Sequence, residues 1–137
     1  MRSDSEVLWK NFSLRHSLSS AQLQRFQEYY VRLVRTNALH NITAITNLDG
    51  VITDHFDDSL SLKNFIDCTA LQGIADIGTG AGFPGIPLKI LFPSLPLFLI
   101  EVSEKKRTFL AEVCDVLSLT DVTIIDLDWR TFFAYFD

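Results

Sequence analysis

The sequence has few of the residues that build cross-links or metal centres. It contains two cysteines, Cys68 and Cys114, and three histidines in 137 residues. Two cysteines without a partner at metal-ligand spacing predict ordinary buried thiols in a reducing, cytoplasmic compartment. The spacing of His55, Asp57 and Asp58 is not that of a zinc site. We interpret these three as helix-capping and hydrogen-bonding groups, in preference to metal ligands or an acid–base pair, and predict no metal site.

Long apolar runs and an excess of basic charge are also missing. The longest apolar stretch, residues 86–100, is interrupted by Lys89, Ser94 and prolines, so we expect no membrane span and no membrane partner. The N-terminus lacks the apolar segment of a signal peptide. The net charge is −5, but residues 1–40 alone carry +3. A nucleic acid would therefore contact the N-terminal part, unless this basic charge is simply a solvated helix surface.

The pattern of the remaining residues predicts an α/β fold. Hydrophobic residues make up 47% of the chain and charged residues 21%, as in ordered globular proteins. Residues 1–70 predict a helical extension, whereas residues 71–137 alternate between strand and helix patterns, which favours parallel βαβ units. The predicted strands cover residues 73–77, 95–101 and 121–126. The run 97–100 is continuous enough to be buried on both faces.

Within the helical extension, the strongest pattern predicts an amphipathic helix over residues 21–35. Its apolar stripe comprises Leu23, Phe26, Tyr30, Leu33 and Val34. Arg25, Arg32 and Arg35 fall on the opposite face, where they are available for phosphates or serve solubility. Further along, residues 49–50 predict a turn, and a helix is expected from residue 54 to about residue 66.

The chain is organised around residues 75–87, which predict a buried strand, a tight turn and a helix N-terminus. Gly78, Gly80 and Gly82 alternate through the turn, so a ligand can approach its backbone closely. Such a turn is a common site for an anionic or dipolar cofactor. Asp76 and Glu101 end the first two strands, and the carboxyl ends of parallel strands share one sheet edge. The sequence therefore predicts a nucleoside-cofactor site at that edge.

The residues of the turn favour S-adenosylmethionine as this cofactor. A dinucleotide fingerprint needs a third glycine where Phe83 stands. Asp76 would repel a pyrophosphate but can receive the amino group of a zwitterionic amino-acid tail, which S-adenosylmethionine has. Glu101 is placed to accept hydrogen bonds from two ribose hydroxyls. A module that binds NAD and a purely structural glycine turn remain the alternatives.

These motifs resemble the RsmG (GidB) family of bacterial methyltransferases over most of residues 20–132. The resemblance is carried by Asn41-Ile42-Thr43, by residues 55–60 (HFDDSL), by residues 74–87 (IADIGTGAGFPGIP) and by Glu101 with Lys105-Lys106-Arg107. It implies a Rossmann-like S-adenosylmethionine-dependent fold that methylates guanine N7 in 16S rRNA of the small ribosomal subunit. It also implies a set of cofactor-binding residues: Asp76, Gly78, Thr79, Gly80, Gly82, Phe83, Glu101, Asp128, Trp129 and Arg130.

Two departures from the family pattern bear on these expectations. The family has an acid at the position of Arg130 and an arginine at that of Asp128, so Asp128 is expected to accept the adenine amino group. The chain resembles the N-terminal two-thirds of the family, so we expect a C-terminally truncated fold with strand 73–77 at a sheet edge. An apolar edge strand predicts self-association. An inactive remnant with weak cofactor or RNA binding is the alternative function.

The reaction that the resemblance implies needs no general base, because guanine N7 carries a lone pair and no proton. Catalysis would come from positioning and from exclusion of water around the cation. The catalytic residues are therefore unknown from the sequence. Lys105, Lys106 and Arg107 are candidates for rRNA phosphates, although solvent exposure explains them equally well.

Overall fold

Helices and a small parallel sheet alternate along the chain in a computed structural model that describes residues 1–135. The part before the sheet contains α1 (Asp4–Arg15), α2 (Ser20–Leu39), α3 (Leu48–Gly50), a π-helical segment (Val51–Asp57), α4 (Asp58–Leu60) and 3₁₀ turns at Ser61–Asn64 and Cys68–Ala70. The sheet part contains β1 (Ile74–Ile77), α5 (Gly85–Leu91), β2 (Leu97–Ile100), α6 (Glu104–Val116), β3 (Val122–Ile125) and α7 (Trp129–Tyr135). The predicted α/β class with a helical N-terminal part is confirmed.

The three strands pair in the order β1-β2-β3, all parallel, with Ile74 opposite Leu97 and Leu97 opposite Val122. β1 lies at an edge of the described sheet, as predicted. Both crossovers are helical, and α5 and α6 pack against the strands with α2 behind them. The prediction that β2 is buried on both faces is wrong at Phe98, which is 39% exposed, because the described helices cover one face of the sheet.

A single cluster of buried side chains connects the helical part to the sheet. Phe26 packs against Phe12 and against Phe56 with ring centroids 5.0 Å apart in both pairs. The same cluster continues into α5 through Ile86 and into β2 through Leu99. Burial of this aromatic surface is the main favourable term in fixing α1 and α2 on the sheet part. The boundary after residue 70 stays a prediction, since residues on both sides of it contribute to this cluster.

The ends and faces of the helices differ in detail from the sequence patterns. Ser19 caps α2 in a reciprocal pair with Gln22, at 3.1 and 2.9 Å, so the helix begins at Ser20. It continues to Leu39, past the end predicted at residue 35. Its most buried face contains Tyr29, not the predicted Tyr30. The turn predicted at residues 49–50 is wrong, and the helix expected from residue 54 begins at Leu48 instead. Among residues 1–135, no helix is long and apolar enough to cross a bilayer.

Candidate functional site

The glycine turn follows β1 and is tied to the end of β2 by main-chain hydrogen bonds. The N–H groups of Gly78 and Thr79 donate to the Ile100 carbonyl at 2.8 and 3.2 Å. Gly78, Gly80 and Gly82 have φ values of +69°, +63° and +103°. Residues with a side chain rarely adopt such backbone dihedrals, so the path of the turn favours glycine at these alternate positions.

The turn has an open side at Gly78 and Gly80 and a packed side at Gly82. A Cβ atom added at Gly78 or Gly80 would meet no heavy atom within 4 Å. A Cβ at Gly82 would lie 2.6 Å from both Ile86 Cδ1 and Tyr29 Oη. Gly78 and Gly80 therefore leave a cradle beside the backbone, which fits the close approach of a ligand, whereas Gly82 serves the packing of the turn.

Asp76 is buried beneath the turn, with 8% of its surface exposed. Its Oδ2 atom accepts hydrogen bonds from Thr79 Oγ1 at 2.6 Å and from Gly85 N at 2.9 Å. Burial raises the pKa of this carboxyl and the nearby Glu101 adds to the effect, while the two hydrogen bonds oppose it. One carboxylate oxygen thus joins the start of the turn to the first residue of α5.

The raised pKa of Asp76 predicts a pH-dependent contribution to stability. The folded protein binds this proton more tightly than the unfolded chain, so the contribution is present below the ordinary carboxyl pKa of 3.8 and is lost as pH rises through the folded value. Between about pH 4 and pH 7, the wild type should lose unfolding free energy relative to the Asp76→Asn variant, because only the wild type has this carboxyl to ionise. Denaturant titrations at several pH values measure this difference. If the unfolding free energies of the two proteins changed in parallel with pH, the prediction would be contradicted. The Asp115→Asn variant is the control, because it removes an exposed carboxylate.

Glu101 lies at the carboxyl end of β2 and is also nearly buried, at 7% exposure. Its Oε1 atom accepts a hydrogen bond from Gly80 N and its Oε2 atom one from Ser103 N, both at 2.9 Å. Each carboxylate oxygen retains a second lone pair for another donor. The side chain therefore holds the middle of the glycine turn and the start of α6 at a fixed separation.

The helical part reaches the glycine turn through side chains that the sequence patterns missed. The Tyr29 hydroxyl, buried in α2, donates a hydrogen bond to the Ala81 carbonyl. Phe83 lies between two aromatic rings, with centroids 5.5 Å from Tyr29 and 4.4 Å from His55 in nearly parallel planes. His55 Nε2 is in turn 3.1 Å from Thr43 Oγ1. Thr43 and His55, one residue from each of two separate motifs, are therefore linked to Phe83 in the turn, although no periodicity connects them.

Removing the Tyr29 hydroxyl is expected to loosen the turn more than it destabilises the fold. Tyr29→Phe leaves the Ala81 carbonyl without its donor, which should cost about 1–2 kcal/mol of unfolding free energy. The affinity for S-adenosylhomocysteine, measured by calorimetry, should fall severalfold. Tyr30→Phe is the matched control, because Tyr30 donates a 2.9 Å bond to Thr46 O, away from the turn. Equal losses of ligand affinity in both variants would contradict this role.

The third group of predicted site residues follows β3 at the same edge. The Asp128 carboxylate caps α7 by accepting from Thr131 N at 2.8 Å, and this bond lowers the pKa of Asp128. The Arg130 guanidinium lies 5.3 Å from the centre of the Trp129 ring, and both side chains are exposed. Their described contacts are local, so the adenine-flanking roles of all three remain predictions.

Arg107, a candidate for rRNA phosphates in the sequence, forms hydrogen bonds within the fold. Arg107 Nη1 bonds the carbonyls of Glu101 and Val102 and the Asp126 carboxylate, at 3.1, 2.6 and 3.1 Å. It connects the end of β2 to the end of β3, and a phosphate contact by the rest of the guanidinium stays a prediction. The sequence could not reveal this contact, because its acceptors come from two loops, one after β2 and one after β3.

The expectation that Arg25, Arg32 and Arg35 all lie in solvent is wrong for the first two. Arg25 Nε donates to the Leu117 carbonyl at the end of α6 at 3.2 Å. Arg32 forms salt bridges with Glu28 and Glu112 at 3.1 and 3.4 Å. The first two arginines therefore pin α2 to α6.

The hydrogen-bonding interpretation of Asp57 is confirmed. Its carboxylate binds Arg15 Nη2 at 2.8 Å and His16 Nε2 at 2.6 Å, and Lys63 Nζ lies 2.7 Å from His16 Nδ1. These contacts join α1 to the segment before the sheet. Among the residues that the structure describes, no group of His, Cys, Asp or Glu is arranged to hold a metal ion.

Comparisons with known proteins agree with the motifs of the turn. A family model described as "GidB: rRNA small subunit methyltransferase G" matches residues 22–131. Several relatives named "Ribosomal RNA small subunit methyltransferase G" are similar to the chain. The one from Carboxydothermus hydrogenoformans is 46% identical over 110 residues, which is 80% of this chain and 46% of the relative. The one from Dehalococcoides mccartyi strain CBDB1 is 44% identical over 120 residues, 88% of this chain and 51% of the relative.

The chain spans about half the length of the curated relatives it matches, a smaller share than the two-thirds that the resemblance suggested. A third relative, from Listeria welshimeri, gives the same proportion, with 43% identity over 105 residues that make up 44% of its length. The matched segment contains the glycine turn, all three strands and the residues that follow β3.

Proposed function

Because the chain belongs to the family of the rRNA small subunit methyltransferase G, we propose that it binds S-adenosylmethionine and takes part in methylating guanine N7 of 16S rRNA. The observation that carries this proposal is the open cradle at Gly78 and Gly80, set between two nearly buried carboxylates. A sulfonium amino acid carries a net positive charge and no phosphate, so it suits such a site, whereas carboxylates beside the turn disfavour a pyrophosphate.

The proposed cofactor contacts follow the carboxyl ends of the three strands. Asp76, Thr79 and the glycines form the part next to the amino-acid tail. Glu101 is proposed for the ribose hydroxyls, since its oxygens keep free lone pairs beside Gly80 N. Phe83 and the run Asp128-Trp129-Arg130 are proposed to flank the rest of the pocket and the adenine. The bound donor would supply the electrophilic methyl group.

The residues of the chain act on this reaction by orientation. The guanine N7 lone pair attacks the methyl carbon while the carbon–sulfur bond breaks, and the positive charge passes from sulfur to the base. No proton moves in this step, so the chain needs no general acid or base. Its part is to fix both reactants in line and to exclude water around the charge.

The proposed RNA contacts are exposed cations between α2 and α6, in a groove that Glu104 and Glu112 also line. Arg35 and Lys105 line one groove of about 350 Å³ between α2 and α6, together with His40. Both are exposed, which supports contact with phosphates of the rRNA or the assembled small subunit. A cytoplasmic location agrees with this substrate and with the free thiols of Cys68 and Cys114.

Two measurements test the proposed function. Calorimetry with S-adenosylhomocysteine and with NAD should show binding of the first alone, and binding of NAD alone would overturn the proposal in favour of a dehydrogenase-type module. Transfer of a labelled methyl group to undermethylated small subunits should then give 7-methylguanine in 16S rRNA. Donor binding without transfer would support the second candidate, an inactive remnant that keeps weak cofactor or RNA binding.

The edge of the sheet is the proposed route of self-association. β1 pairs with β2 on one side alone within the described sheet, and Ala75 and Phe98 lie exposed next to each other in register. An apolar edge strand of this kind offers main-chain groups to a second copy. Light scattering should therefore show dimers or larger species that grow with concentration. A monodisperse monomer that persists for days would sink this expectation.

A further inference from the structure

A cavity of about 320 Å³ adjoins the glycine turn on the side of the helical part. Its wall includes Asp54, His55, Asp58, Phe83 and Pro84. The volume falls in the range of roughly 300–1,000 Å³ that is usual for small-molecule sites. Phe83 and Pro84 belong to the segment that follows the glycine turn, so the cavity lies against the same segment of chain that forms the cradle.

One wall of the cavity is an aromatic stack. The His55 imidazole lies parallel to the Phe83 ring, with 7° between their planes, and Tyr29 continues the stack on the far side of Phe83. Burial lowers the pKa of His55, although Asp54 and Asp58 oppose the effect. A neutral ring is a favourable surface for an unstacked base, including a base that carries positive charge.

Two exposed carboxylates complete the lining. The side chains of Asp54 and Asp58 accept no hydrogen bond from residues 1–135, whereas the neighbouring Asp57 is held by Arg15 and His16. A carboxylate accepts hydrogen bonds and donates none. Among the purines, guanine presents two adjacent donors, N1–H and the N2 amino group, on its Watson–Crick edge. A carboxylate can receive both donors at once, and adenine offers no equivalent pair.

We propose that the cavity lined by Asp54, His55, Asp58 and Phe83 receives the flipped target guanine. The base rests on the His55 ring, which is the end of the stack, and the two carboxylates bind the donors of its Watson–Crick edge. The same carboxylates favour the cation that forms when N7 gains the methyl group, since their charge opposes the one that develops on the base. This inference rests on the proposed function and adds a binding site for the acceptor.

The three histidines allow a direct test on the full chain. Each ring gives its own resonances in a ¹³C- or ¹⁵N-labelled sample, assigned through His→Asn variants. Addition of 7-methylguanosine should shift the His55 signals and leave those of His16 and His40 in place. Guanosine should bind at least about tenfold more weakly because it lacks the charge, and adenosine weaker still. Equal shifts with all three nucleosides, or shifts centred on His40, would overturn the proposal.

Carboxamide variants test the carboxylates. The double variant Asp54→Asn/Asp58→Asn should lose about tenfold or more in affinity for 7-methylguanosine, while Asp49→Asn, an exposed acid outside the cavity, should retain it. Unchanged affinity in the double variant overturns the proposal. Calorimetry with S-adenosylhomocysteine on the same samples separates the two claims. If that ligand binds and the nucleosides do not, the acceptor site alone is wrong, and if the nucleosides bind without it, the cofactor site is wrong.

Discussion

Gly82→Ala is expected to lower the free energy of unfolding by about 4 kcal/mol, from backbone strain and overpacking together. Gly82 has a backbone φ of +103°, which an alanine residue rarely adopts. The new Cβ would also lie 2.6 Å from Ile86 Cδ1 and from the Tyr29 hydroxyl. Both neighbours are fully buried, so a shift of either side chain disturbs the packing between α2 and the turn, and stability should fall. Denaturant unfolding followed by circular dichroism measures the loss.

Gly78→Ala is the matched control for this prediction. Its φ of +69° lies at the edge of the left-handed region that residues with a side chain can adopt at modest cost, and no heavy atom lies within 4 Å of the added Cβ. The cost in stability should therefore be about 1–2 kcal/mol. The methyl group would enter the cradle, so affinity for S-adenosylhomocysteine should fall at least tenfold. Equal destabilisation by the two alanines would show that the packed and open sides of the turn are not distinct.

Glu101→Ala is expected to damage both stability and cofactor affinity. The substitution leaves Gly80 N and Ser103 N without their acceptors, and two charge-assisted hydrogen bonds predict a loss of about 3 kcal/mol. Because Glu101 connects the turn to α6, the cradle should lose its shape even where the chain remains folded. Binding of S-adenosylhomocysteine should then become undetectable in calorimetry, while circular dichroism at low denaturant reports that the helices persist.

Two further variants separate the charge of Glu101 from its geometry. Glu101→Gln keeps one acceptor oxygen, so it should lose about half as much stability as the alanine variant. Glu104→Gln removes a carboxylate three residues away that is exposed at the start of α6, and should leave ligand affinity unchanged. If Glu104→Gln weakened binding as strongly as Glu101→Gln, the effect would belong to general charge and not to the two hydrogen bonds.

The same polar groups serve the scaffold and the proposed site. Asp76 and Glu101 hold the turn through three main-chain donors and one hydroxyl, and these contacts set the distance between the strand ends. A donor bound in the cradle would meet a backbone that is already ordered, so little conformational entropy would be lost on binding. This explains why the strongest predicted effects on binding are also effects on stability.

The order of elements after residue 70 could be read from the sequence because it depends on local chemistry. Alternating apolar runs and helix patterns predicted three strands, and alternate glycines predicted a tight turn, because glycine adopts unusual backbone dihedrals without steric cost. The acids at the strand ends were found for the same reason, since each follows its own apolar run directly. The assignment to the RsmG (GidB) family rested on these contiguous motifs and is confirmed.

The contacts that position the turn could not be read from the sequence, because they join residues far apart in the chain. Tyr29 and Ala81, His55 and Phe83, and Arg107 and Asp126 meet only when the helices close over one face of the sheet. Burial decides such pairings, and burial is a property of the packed molecule. The sequence by itself therefore determined the elements, the turn and its family. The tertiary structure alone decided which arginines bond within the fold and that Phe98 is exposed. It also decided that side chains of the helical part contact the glycine turn.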